Sequence, residues 1–338
     1  MIPSLAAYVA LLEPHLVPSL CSPESYAALA ELSGRLPAVA VSGFERTLGG
    51  RGGSLDLAIA FKRLHAAGKH LVDDPAIGAP ARALLASASA TRSPLHGAVD
   101  VFWLEYDVSQ QGDQPSLFVG PRGHDRGPIV VLASELVLGR PLAPRVRATL
   151  ERLAAPRPGV ALFQAGWMLG RQQPGLRLCF CAREPGPLQP LVEHIGDPRQ
   201  RTAIRACWDR YAAHVTELVL AVDIGDGEIG PRLGLELGFR GWKPSQPLAR
   251  WLPLLSQLRA EGLCTADESR ALLEWPGRMT ESSAGSGWPT YLRSARALLG
   301  PYESRIDRAL HHVKLVLERG EITTTKAYFG ALQTWGVT

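Results

Sequence analysis

The side chains best suited to chemistry concentrate in one stretch, Leu310 to Gly330, reading LHHVKLVLERGEITTTKAYFG. Two β-rich runs flank a turn there. If Glu318-Arg319-Gly320 is a three-residue loop with glycine in the left-handed position, residue 317 faces 321, Lys314 faces Thr324 and His312 faces Lys326. One face then carries His312, Lys314, Thr324, Lys326 and Tyr328, and the other carries Val313, Leu315, Leu317, Ala327 and Phe329. The chain has 36 basic residues but only five lysines, and two of those share this polar face. The sharper reading is that this polar face lines an enclosed pocket. Other alternating stretches add Trp103, Glu105 and Asp107, then Gln164 and Arg177, then Asp223, Arg232 and Glu236. The competing reading is a half-buried sheet whose polar face meets solvent.

Other motifs carry less. Gly49-Gly50-Arg51-Gly52-Gly53 has no following lysine-serine, so it reads as a loose hairpin turn and not a phosphate loop. His124-Asp125 are neighbours and cannot both address one nucleophile, which leaves them as loop residues. Cys179 and Cys181 have no further ligand at a metal-site spacing and read as small wall residues. Asp223 to Glu228 lacks the twelve-residue calcium pattern.

The composition narrows the class. Hydrophobic content of 46% with 20% charged residues describes a globular chain rather than a disordered one. A net charge of +4, with acids interleaved among the bases, offers no nucleic-acid patch. Five cysteines without paired spacing fit a reduced, cytoplasmic setting. No signal peptide, membrane span, metal or cofactor is expected.

The elements that must position the polar residues follow a repeating order. Helical patterns fall over 4–35, with a new start at Ser22-Pro23-Glu24, and over 75–89, 143–154, 188–214, 247–261, 265–274 and 290–299. Asp197-Pro198 marks an internal helix start. Paired strand patterns fall over 39–48 with 55–64, 101–108 with 115–120, 160–171 with 175–184, the runs on either side of Asp226-Gly227, and the terminal hairpin. Residues 129–139, IVVLASELVLG, fit either a strand or a buried helix. WPGRMTESSAGSGWP, 275–289, reads as a loop insert long enough to be a lid or binding edge.

Five helix-then-hairpin units with turns near 51, 111, 172, 226 and 319 imply an α+β fold built as one domain over 1–338. That order resembles the αββα barrel of the aromatic prenyltransferases, in which strands close around a lumen inside a ring of helices. Apolar strand faces would lie beneath helices, polar faces would line the lumen, and closure would remove exposed edges. An open two-domain α+β sheet is the competing arrangement. The resemblance implies a lumen gathering Trp103, Glu105, Asp107, Gln164, Arg177, Asp223, Arg232, Glu236, His312, Lys314, Lys326 and Tyr328. In such a lumen the cations and Tyr328 could meet a prenyl diphosphate, with Glu105 as a base toward an aromatic acceptor. The carboxylates on the same wall would compete for those cations.

A second resemblance is local. WLEYD (103–107), IGPRLGLELGF (229–239), GLC with LLEWPG (262–264, 272–277) and HVKL with KAYFG (312–315, 326–330) are similar to a bacterial family of peptide-binding proteins from gene clusters for ribosomal peptide natural products (RiPPs), such as the crocagin pathway. This resemblance implies a non-catalytic protein that holds a precursor peptide, in a wide lumen, for partner enzymes of its pathway. An acidic segment of that peptide would then meet Lys314 and Lys326.

Overall fold

Alternation of large apolar and polar residues sets the architecture. The computed structural model describes residues 3–50, 55–62, 66–74, 77–108, 114–123, 126–170, 175–240 and 248–337, the side chains of 66–69 and 100 apart. His124-Asp125, most of the GGRGG turn and the turns near 111 and 172 lie outside the described residues. Eleven strands are present among those described: β1 (Val41–Thr47), β2 (Leu55–Lys62), β3 (Val99–Tyr106), β4 (Ser116–Pro121), β5 (Ala161–Trp167), β6 (Leu176–Ala182), β7 (Glu217–Gly225), β8 (Glu228–Gly238), β9 (Gly277–Thr280), β10 (Tyr302–Glu318) and β11 (Glu321–Val337). Each pairs antiparallel with its neighbour. Because β10 pairs with both β8 and β11, and β11 pairs with β1, ten strands close into a barrel. β9 is an extra strand on the outer margin of β10. Among the described residues no helix is long and apolar enough to cross a membrane.

The outward strand faces form the core. Leu218, Leu220, Leu233, Leu235, Val313 and Leu315 are buried in one cluster with Ile204, Cys207, Trp208 and Tyr211 of the helix Pro198–Tyr211. Burying each leucine contributes about 1.5–3 kcal/mol. Helix starts follow their capping chemistry. Ser22 accepts from the Ser25 amide at 3.2 Å, Asp197 from Arg199 at 2.8 Å, and Thr265 and Glu268 form a reciprocal capping box.

One open alternative is resolved and three local expectations need correction. The ambiguous run at 129–139 is a helix, Gly127–Leu138, ended by Gly139 at φ 64°. The left-handed glycine stops it. The stretch 188–214 is broken, with short helical turns at 186–192 before the helix that Asp197 starts. The insert at 275–289 is not a free loop: β9 pairs along Arg305–Arg308, and Trp275 and Trp288 are buried at its two ends. The terminal turn uses only two residues, Arg319 (φ 52°) and Gly320 (φ 87°), so Glu318 faces Glu321. A bulge between Val316 and Leu317 then shifts the ladder. Lys314 therefore faces Lys326 directly, and His312 faces Tyr328.

Candidate functional site

The inward face of the barrel wall joins side chains from distant strands through their register. Glu236 on β8 lies opposite Lys314 on β10, Lys314 opposite Lys326 on β11, and Lys326 opposite Thr47 on β1. Gly234 creates room for Lys314, and Gly166 for Phe118. A Cβ at Gly234 would stand 2.5 Å from Lys314 Cε, and one at Gly166 would stand 2.1 Å from the Phe118 ring. Lys314 can thus lie across β8 and place Nζ 2.9 Å from Glu236 Oε1.

Each lumen cation read from the sequence has found an acid. Arg177 grips Asp223 with two hydrogen bonds, Nε to Oδ1 at 2.6 Å and Nη2 to Oδ2 at 2.9 Å. Lys326 and the Tyr328 hydroxyl both donate to Glu45. Arg232 meets Glu318 at 3.4 Å on the half-exposed rim. His312 stacks on Tyr328 with ring centroids 4.1 Å apart. The space left among Glu45, Arg177, Gly234, Lys314, Lys326 and Tyr328 is about 10 Å³, room for roughly one water. The wide lumen expected from the strand faces is, in this part, filled by its own ion pairs.

Burial drives the titration of the wall in opposite directions. Burial would raise Glu236, but Lys314 pulls its carboxyl down to about 2. His312 is pushed down to about 3, chiefly by burial, and is neutral at physiological pH. Lys314 is therefore the cation that keeps Glu236 charged. Glu45 likewise ends at about 2 because Lys326 outweighs its burial. Glu105 and Asp56 each rise to about 7, from burial and then from the charge of Glu45. Burial pushes Cys179 and Cys181 up to about 12, which makes them wall residues and not nucleophiles.

The raised carboxyls give a pH signature. The fold binds their protons more tightly than the open chain does, so their contribution is complete below pH about 4 and is lost as pH rises through about 7. We expect Glu105→Gln to flatten the fall of the thermal midpoint between pH 5 and 8. Parallel profiles for variant and wild type would show that Glu105 is not the group responsible.

The remaining candidates are more dispersed. Trp103, half-buried on β3, lies between Ala60 and Phe118. Asp107 follows the end of β3 and acts electrostatically on Asp56. Gln164 pairs with Cys179 beside a bulge in β5. The sequence reading passed over Glu45 and Asp56. Their signal was present, since Glu45 alternates with Phe44, and Asp56 stands between Leu55 and Leu57.

Comparison with solved structures finds the same barrel. The chain is similar to the prenyltransferase PriB in its apo form, at 14% identity, with 96% of each chain covered and a TM-score of 0.57. It is also similar to PriB in ternary complex with L-tryptophan and dimethylallyl thiolodiphosphate (14%, 96% of each chain, 0.54). A third match is 5-dimethylallyltryptophan synthase from Streptomyces coelicolor (14%, 97% of each chain, 0.55). The fold is thus that of the prenyltransferase barrels, an α+β architecture of antiparallel hairpins and helices. No protein-family model and no curated protein matches the chain.

Proposed function

We propose that this chain is a non-catalytic member of the barrel architecture that binds a precursor peptide of ribosomal origin and presents it to the modifying enzymes of its pathway. One observation carries the reading. Arg177, Arg232, Lys314 and Lys326, the cations that a prenyl diphosphate would need, are each engaged by a carboxylate of the wall. A diphosphate would have to displace the carboxylates that already engage those cations, Glu45 and Glu236 of the enclosed wall among them, with little space to enter. Peptide binding makes no such demand on the lumen. The local resemblance of the sequence to the crocagin-type proteins supports the substrate class.

Prenyl transfer is the second reading, favoured by the barrel likeness and by Glu105. A carboxyl held at about 7 inside a barrel can accept a proton from an aromatic acceptor near neutral pH. The two readings separate in one assay. Incubated with dimethylallyl diphosphate and tryptophan or indole, the protein should return both substrates unchanged by mass spectrometry. A prenylated product that disappears in Glu105→Gln would reverse the ranking.

A further inference from the structure

Outside the barrel wall, where the helix Pro144–Ala154 ends over β5 and β6, there is a pocket of about 220 Å³. Gly123, Arg126, Pro156, Arg157, Val160 and Leu162 are among the residues that line it. Leu162 pairs with Phe180, and both belong to the helix-facing core, so the pocket is separate from the lumen. Its two arginines differ from those inside the barrel. Arg126 donates from Nε to the Gly123 carbonyl at 3.0 Å and from Nη1 to the Leu162 carbonyl. Arg157 donates from Nη1 to Leu153 at 2.6 Å and to Ala155 at 2.9 Å, and from Nη2 to Arg152 at 2.8 Å.

These acceptors are backbone carbonyls. They fix the direction of each guanidinium without neutralising it. Among the described residues no carboxylate is paired with Arg126 or Arg157. Burial, unrelieved by any anion, holds Arg157 below the usual guanidinium range. A structural role explains part of the arrangement, since Arg157 closes the carbonyl end of its helix and Arg126 ties Gly123 to β5. That role does not use the remaining donors. Each guanidinium has five N–H groups, and Nη2 of Arg126 and Nε of Arg157 make no hydrogen bond among the described residues.

We infer that this pocket receives a carboxylate carried beside an apolar group, as in an acidic peptide segment with a hydrophobic neighbour. Planar guanidinium forks match carboxylate geometry, and Pro156, Val160 and Leu162 supply the apolar wall. The inference rests on the peptide-binding reading and relocates the acidic contact. Lys314 and Lys326, the sequence-level candidates for it, are already held by Glu236 and Glu45.

Fluorescence anisotropy with a labelled, acetylated peptide of alternating leucine and glutamate tests the pocket, with the leucine–glutamine peptide and inorganic phosphate as comparisons. The glutamate peptide should bind and the glutamine peptide should not. The double variant Arg126→Gln, Arg157→Gln should weaken binding at least about tenfold, equivalent to 1.4 kcal/mol. Glutamine keeps an amide donor for the backbone carbonyls, and thermal unfolding checks the fold. In the wild type, phenylglyoxal labelling of Arg126 and Arg157, mapped by mass spectrometry, should fall when the peptide is bound. Equal binding of the glutamine peptide, displacement by phosphate at peptide-like concentration, or unchanged labelling would each overturn the inference. A precursor peptide that binds wild type and a folded double variant alike would sink the pocket and leave the peptide-binding reading standing. A precursor that binds neither would sink that reading itself.

Discussion

Lys314→Met will destabilise the protein by about 3–5 kcal/mol, because it leaves Glu236 buried without its cation. Lys314 is 6% exposed and Glu236 9%, so neither can turn to water without disturbing the wall. His312 cannot take over, since its Nε2 is 3.6 Å away and burial keeps the ring neutral. Adding Glu236→Leu should restore most of the loss, because two buried charges are then replaced by apolar groups that need no partner. Urea denaturation of the two single variants and the double variant closes the cycle. A single-variant loss below about 1 kcal/mol would mean the pair is hydrated and contributes as a surface bridge does. The pair also fixes a pH window. Glu236 drops from its ordinary value near 4.5 to about 2, so its contribution is present above pH 4.5 and is lost as pH falls toward 2.

Trp275→Ala should cost a similar amount, about 3–5 kcal/mol, for a different reason. The indole is 1% exposed and meets Phe329 edge-on at 4.9 Å and Phe44 at 5.8 Å. Its Nε1 donates to the Gly330 carbonyl at 3.1 Å, and Arg308 lies 5.5 Å from the ring. Truncation opens a cavity over β1 and β11, orphans that carbonyl and removes the ring beside Arg308, whose Nε and Nη1 have no hydrogen-bond partner among the described residues. Chemical denaturation gives the loss. Hydrogen exchange should rise first at 277–280 and 305–308, where β9 pairs with β10. Unchanged stability would identify the segment as the loose insert that its glycine and serine content suggests.

The barrel was legible because alternation and turn chemistry are local. Asp226 and Gly227, at φ 51° and 80°, form the expected two-residue turn, and Leu218, Leu220 and Val222 face Leu237, Leu235 and Leu233. What failed depended on partners distant in sequence. The two bulges of the β10–β11 ladder, with His311 extra in β10 and Thr323 extra in β11, are announced by no residue in the hairpin. β9 exists because Arg305–Arg308 offer an edge and Asp307 draws Arg278 to 2.6 Å. Arg177 with Asp223, and Glu236 with Lys314, meet on the inner wall, but nothing local in the sequence gives these pairings. Lys326 chose Glu45 from the other end of the chain, a partner visible only once β11 closes on β1.

That closure governs how the protein can be made. The first strand completes its ladder only against the last, Val41 with Leu332 and Thr47 with Lys326. While the polypeptide emerges from the ribosome, β1 and β8 present open edges until β10 and β11 arrive together. The pairing of greatest sequence separation is thus the one that seals the sheet, and its loop-closure cost is met last. Its nascent form depends on protection from edge-to-edge association for nearly the whole of its synthesis.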